Sequence, residues 1–192
     1  MPVQPKGDWK SSLHTYASFK TWLPHVDLQA LSETDARNKV ISHYLAGFGP
    51  ATAEDIAWWM GISKGAVTQA LEEMRRNVEQ IEIAGLDGKF VILKPDLDAL
   101  RRFSSNTDTC HLLPKFDPYI MGYKNRQRLI CAKYEKKVYR STRAEVTPCI
   151  LLNGRIIGTW DHKEKNGKVV IGLSVFEKPD KAVATKIMQQ AE

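Results

Sequence analysis

Lys64, Thr68, Gln69, Arg75 and Arg76 share one side of a stretch whose other side carries Val67, Ala70, Leu71 and Met74. Cations, an amide and a hydroxyl at this spacing are what a helix laid in the major groove of a duplex offers to base edges and phosphates. Lys89, Lys124, Arg126 and Arg128 extend the set. The two arginines suit phosphate best, because a guanidinium fork meets two oxygens at once. Against this stand Glu72 and Glu73, which repel phosphate, and the plain alternative of a solvated helix face. Gly61-Ile62-Ser63-Lys64-Gly65 has the Gly-x-Ser-x-Gly spacing of a hydrolase nucleophile, a chemistry that needs a strand before the serine. A helix precedes it here, so Ser63 is expected to cap the next helix. Trp58, Trp59 and Met60 are expected in the core rather than as a stacking platform.

Three capped helices and a hairpin must position these side chains. Ser32 with Asp35 starts the first helix, which carries Ala36, Val40, Ile41, Tyr44 and Leu45 and stops at Gly47-Phe48-Gly49-Pro50. Thr52 with Asp55 starts the second, which Gly61 ends, and Ser63 starts the third. Gln80 to Ile83 and Phe90 to Leu93 are β-prone and joined through Asp87-Gly88, favoured residues for a tight hairpin. This order predicts a winged helix-turn-helix over residues 32–103, following an extended segment 1–31, with a short helix opened by Pro95 and Asp96 at its end.

Ser104 to Thr109 is polar and reads as a linker. Beyond it, residues 110–192 are expected to form a second module. Two Asn-Gly turns, Asn153-Gly154 and Asn166-Gly167, separate β-prone runs 149–152, 155–160, 161–165 and 168–176. They predict a small antiparallel β-barrel or sheet, followed by a terminal helix from Lys181 to Gln190 behind Asp180. Tyr119, Met121 and Tyr123 alternate as they would on a strand, and Trp160 is expected to pack where this module meets the winged helix. The fold class expected is α+β.

Composition narrows the function. The chain has 192 residues, 43% of them hydrophobic, enough for one large or two small cores. No apolar run nears the ~20 residues needed to span a bilayer, and no signal peptide is visible, so a cytoplasmic protein is expected. Cys110, Cys131 and Cys149 are scattered and the five histidines lack ligand spacing, so neither a disulfide framework, a metal nor a cofactor is expected. The net charge of +6 is uneven: +1 over residues 1–32, −2 over 33–103 and +7 over 104–192. Counterion release on a polyanion would therefore come largely from Lys115, Lys124, Arg126, Arg128, Lys133, Lys136, Lys137, Arg140, Arg143 and Arg155. No long heptad helix suggests a dimer, and the oligomeric state stays open.

The run Leu112 to Arg128, Leu-Leu-Pro-Lys-Phe-Asp-Pro-Tyr-Ile-Met-Gly-Tyr-Lys-Asn-Arg-Gln-Arg, is the most distinctive in the chain. With Tyr44-Leu45, Phe48-Gly49-Pro50-Ala51-Thr52, Asp55, Trp59 and Gly61 before it and Asn153-Gly154-Arg155 and Gly158-Thr159-Trp160 after it, the sequence resembles the AlkZ/YcaQ-like winged-helix DNA glycosylase family from about Trp22 onward, in the family's order. The resemblance implies tandem winged helices and a β-barrel around a channel for duplex DNA, and in the characterised members removal of alkylated or crosslinked bases by hydrolysis of the N-glycosidic bond. Their catalytic pair, a glutamine followed two residues later by glutamine or aspartate, sits in a first winged helix that this chain is expected to begin after. Gln80-Ile81-Glu82 falls in the wing of a later domain and does not take that role. Asp117 is the one acid offered as a substitute, and Phe116-Asp117-Pro118 reads more simply as a turn.

The function expected is therefore binding of duplex DNA, including alkylated or crosslinked duplex, through phosphate contacts with little sequence preference and without catalysis by this chain. The alternatives are an active DNA glycosylase and a winged-helix protein-interaction module, the latter favoured by Glu72, Glu73, Glu79 and Glu82 near the supposed recognition surface.

Overall fold

The structure, a computed structural model, describes residues 2–5, 14–104, 109–140 and 145–191. It divides into two units, one within residues 1–39 and the other within 40–192. In the first, β1 (Pro2–Pro5) pairs antiparallel with β2 (His14–Tyr16), and α1 (Phe19–Trp22) follows, capped by Ser18. The start of α2 (Glu33–Phe48) belongs here as well. Ser32 Oγ accepts the Asp35 N–H at 3.1 Å and donates to the Asp35 carboxylate at 2.6 Å, the expected local cap.

The second unit continues through β3 (Ala51–Thr52), α3 (Ala53–Met60), α4 (Lys64–Glu73), β4 (Val78–Ile81), β5 (Phe90–Leu93) and α5 (Lys94–Arg102). Thr52 and Asp55 form a reciprocal capping box on α3, and Gly61 ends that helix at φ 69°, a left-handed position that glycine adopts without a Cβ penalty. Ser63 Oγ accepts the Ala66 N–H at 3.1 Å, so the Gly-x-Ser-x-Gly spacing is a helix cap. Ile41, Tyr44 and Leu45 of α2, Ile56 of α3 and Val67 and Ala70 of α4 form one apolar cluster over Val78 and Val91. That burial drives the helices onto the antiparallel sheet of order β3-β5-β4.

Two expectations fail here. The first hairpin strand begins two residues earlier than expected, at Val78, and residues 82–89 form a wide loop rather than a tight turn. Gly85 (φ 78°) and Gly88 (φ 112°) supply two separate left-handed corners, where a two-residue turn needs adjacent ones. Trp59 is 43% exposed, although its ring lies 5.1 Å from Tyr44 and 6.3 Å from Phe48.

Beyond α5 come β6 (Cys110–Leu113), α6 (Pro118–Met121), α7 (Ala132–Val138), β7 (Tyr139–Arg140), β8 (Glu145–Val146), β9 (Cys149–Leu152), β10 (Arg155–Lys165), β11 (Lys168–Val175) and α8 (Lys181–Ala191). The sheet is antiparallel in the order β11-β10-β9-β6. Both Asn-Gly turns have paired positive φ, 48° and 78° at Asn153-Gly154, 53° and 71° at Asn166-Gly167, which match the strand twist of tight hairpins. Asp180 Oδ1 caps α8 by accepting the Val183 N–H at 2.8 Å.

The barrel expected from sequence does not close: among the described residues β11 and β6 remain the two edges, and four strands are too few to curl onto themselves. Strand β10 runs unbroken where two strands were expected. Tyr119 and Met121 lie in α6 and Tyr123 just past it, because Asp117 accepts the Tyr119 N–H at 2.9 Å and Pro118 fixes the first helical φ. Trp160 packs within this sheet, its Nε1 donating to the Leu113 carbonyl at 2.8 Å. Among the described residues no helix is long and apolar enough to cross a membrane, and no group of His, Cys, Asp or Glu is placed to hold a metal ion.

Candidate nucleic-acid interface

Helix α4 and the β4–β5 hairpin flank an open cleft of about 670 Å³. Four of the residues expected to meet DNA line it: Lys64, Thr68, Arg75 and Lys89. Gln69 and Arg76 are exposed on or just past the same helix. The amphipathic pattern places them there, since burial of Val67 and Ala70 turns the opposite side of α4 to solvent.

Carboxylates share the cleft. Glu54, Glu72, Glu79 and Asp87 line it, and Lys64 Nζ lies 2.8 Å from Glu54 while Arg75 Nη1 lies 3.0 Å from Glu72. Gln69 Nε2 donates to Glu73 at 3.2 Å, and the Thr68 hydroxyl donates to the Lys64 carbonyl at 2.9 Å. The hydrogen bond and charge of Lys64, with the charge of Lys124 beside it, hold the Glu54 carboxyl below the usual carboxylate range. Glu54 thus shares one hollow with two cations that are 60 positions apart in sequence.

The segment 122–128 reaches the cleft through Asn125. Tyr44 Oη donates to the Gly122 carbonyl at 2.7 Å, and Tyr123 Oη donates to the Phe48 carbonyl at 2.9 Å. Burial raises the pKa of both phenols, so each stays a neutral donor. Asp55 accepts the backbone N–H groups of Lys124 at 2.9 Å and Asn125 at 3.2 Å. These bonds leave the Lys124 side chain exposed and set Asn125 on the cleft wall. Asn125 was not singled out from sequence; its Asx turn onto the Gln127 N–H is a local signal that could have drawn notice.

The arginine pair departs from expectation. The Arg126 side chain is only 4% exposed, its guanidinium 3.8 Å from the Tyr139 ring and 5.1 Å from the Trp58 ring. Its Nε donates to the Ile120 carbonyl at 3.3 Å, and burial lowers its pKa from the ordinary arginine value. In this conformation Arg126 packs the interior and offers nothing to a phosphate. Arg128, 18% exposed, lies 3.6 Å over the Tyr123 ring and donates to the Pro50 carbonyl at 2.8 Å. Its fork clamps the turn before α3 instead of pointing outward. Of the other basic residues, Lys115 pairs with Glu145 and Lys133 with Glu177, at 2.7 and 2.6 Å; Arg143 and the Arg140 side chain lie outside the described residues.

The comparisons with known proteins agree with this architecture. The chain is 24% identical over 130 residues to an interstrand DNA cross-link repair glycosylase of Streptomyces sahachiroi, a match covering 66% of this chain and 34% of that protein. Its fold is similar to the solved structure of Streptomyces sahachiroi DNA glycosylase AlkZ, with a TM-score of 0.70 at 22% identity, covering 84% of this chain and 42% of that one. The chain thus spans well under half the length of either relative. The model of the AlkZ-like DNA glycosylase family matches residues 1–192, and the chain belongs to that family.

Proposed function

We propose that this chain grips duplex DNA through its phosphates, with little sequence preference, and contributes binding rather than chemistry. In this reading residues 32–103 act as a winged helix-turn-helix, α4 as the groove helix and the β4–β5 hairpin as the wing, with residues 110–192 a second module against the same duplex. Lys64, Thr68, Gln69, Arg75, Arg76, Lys89 and Lys124 make the contacts. One observation carries the reading: the fold brings Lys124 into one hollow with Lys64 and Glu54, and Lys64 also lines the cleft that holds Arg75 and Lys89. Binding rather than chemistry is supported by what the candidate catalytic groups do, since Ser63 and Asp117 are both engaged as helix caps.

Because Glu54 pairs with Lys64 and shares a hollow with Lys124, Glu54→Gln is expected to tighten duplex binding roughly three- to tenfold at low salt, while Lys64→Gln and Lys124→Gln each weaken it and flatten its salt dependence. Fluorescence anisotropy of a labelled duplex reads both effects. Unchanged affinity in all three variants would move the contact surface elsewhere. Glu72, Glu79 and Asp87 on the cleft wall favour a second reading, a protein-interaction surface, and a chain that ignores duplex at low salt would select it.

A further inference from the structure

Two helices begin with a hydroxyl residue at the cap and an aspartate three positions on, Ser32 with Asp35 and Thr52 with Asp55, and the two aspartates differ. Asp35 bonds to Ser32, its one hydrogen-bond partner among the described residues, and is exposed. Asp55 bonds to Thr52 through Oδ2, which accepts both the Thr52 hydroxyl and its backbone N–H, but it is 2% exposed, and its Oδ1 accepts the N–H groups of Lys124 and Asn125, 69 and 70 positions away. A helix cap needs neither that burial nor that second oxygen. The loop amides need both, because backbone N–H groups shielded from water must find an acceptor, and a carboxylate oxygen is the stronger one.

We infer that Asp55 is a positioning residue, whose Oδ1 holds the loop bearing Lys124 and Asn125 at the mouth of the α4–hairpin cleft and so sets how much Lys124 contributes to gripping a polyanion. The inference rests on the DNA reading above for its consequence, but not for its geometry. One carboxylate joins the start of α3 to the loop: Oδ2 orders the helix whose Glu54 pairs with Lys64, and Oδ1 orders the backbone that carries Lys124. Arg128 reinforces the same junction, its Nη2 3.9 Å from Asp55 while its Nη1 holds the Pro50 carbonyl. Loss of Oδ1 lets the loop move and takes Lys124 from its place without touching Lys124 itself.

The test uses the full chain with Asp55→Ala, Asp55→Asn and, as the local-cap control, Asp35→Ala. Amide hydrogen exchange at Lys124 and Asn125 reads the position, and the salt dependence of duplex binding, alone and in a Lys124→Gln background, reads the consequence. Asp55→Ala is expected to speed exchange at both amides by at least about tenfold, and to weaken duplex binding roughly eightfold at 0.1 M salt, the loss of one phosphate contact. In the Lys124→Gln background it should add nothing, since both changes remove the same contact. Asp55→Asn keeps one neutral acceptor and should exchange at an intermediate rate; it decides the matter should the alanine variant fail to fold. Asp35→Ala should leave both amides as they are. Protection of the two amides unchanged in a folded Asp55 variant would overturn the positioning role, and so would an equal loss of affinity with and without Lys124. A wild-type chain that ignores duplex would remove the DNA reading alone, and the exchange rates would still decide the position.

Discussion

Arg126→Ala is expected to lower the unfolding free energy by about 3 kcal/mol and to leave the salt dependence of duplex binding unchanged. The guanidinium touches Trp58 of α3, the Ile120 and Lys124 carbonyls and Tyr139 beyond α7, so one side chain ties three parts of the second unit together. Truncation removes the stacking on Tyr139, opens a cavity and leaves the two carbonyls without their donor. Arg126→Met should cost much less, because Nη2 finds no hydrogen-bond partner among the described residues and the ion pair to Glu135 is long at 3.9 Å. Replacing a buried cation of that kind by an apolar chain of similar volume also removes its desolvation penalty. Urea denaturation of both variants checks the difference. An alanine variant as stable as wild type that bound duplex less tightly would return Arg126 to the phosphate role expected from sequence.

Gly122→Ala should destabilise the chain by about 2–3 kcal/mol, a fall in Tm of roughly 5–10 °C. The cause is steric rather than conformational. A Cβ at this position would lie 2.6 and 2.9 Å from two atoms of the Phe48 ring and 3.2 Å from the Pro118 carbonyl oxygen. Phe48 cannot step aside, since it packs against both the helical cluster and the cluster beneath α6 and α7, with Tyr44 stacked at 5.2 Å. Any retreat of the loop would also strain the Tyr44–Gly122 hydrogen bond. Thermal unfolding measures the loss, and adding Phe48→Leu should recover part of it by making room. A Gly122→Ala variant with wild-type Tm would mean that the loop can slide over α2.

What could be read from the chain alone follows from how far each signal reaches. The caps at Ser32, Thr52 and Ser63, the Asn-Gly hairpins and the cap of α8 by Asp180 are contests among neighbours, and the structure has them in place. The exposed face of α4 followed from periodicity in the same way. The fate of Arg126 and Arg128 did not, because an arginine presents the same residue type to a phosphate and to a stack of aromatic rings. Only the long-range packing of Trp58, Tyr123 and Tyr139 separates the two. Strand β6 was likewise invisible: its four residues acquire strand character by pairing with β9, 39 positions on from Cys110 to Cys149. The barrel failed for the complementary reason, since turns specify hairpins but not whether the outermost strands meet.

Asp55 combines both cases in one residue. Its cap was legible from Thr52 three positions earlier, while its bonds to Lys124 and Asn125 depend on where a loop some 70 residues away folds back. The exposed face of α4 is therefore legible in the sequence, while the bonds that hold the Lys124 backbone are not.

A phosphate grip is tested by the affinity of the wild-type chain for two labelled duplexes of unrelated sequence, measured by anisotropy across a salt series. Phosphate contacts by the cations Lys64, Arg75, Arg76, Lys89 and Lys124 predict equal affinities for the two sequences and a log–log salt slope of about −4 to −5. Absence of binding at low salt, or binding that ignores salt, would contradict the phosphate grip and leave the cleft to a protein partner.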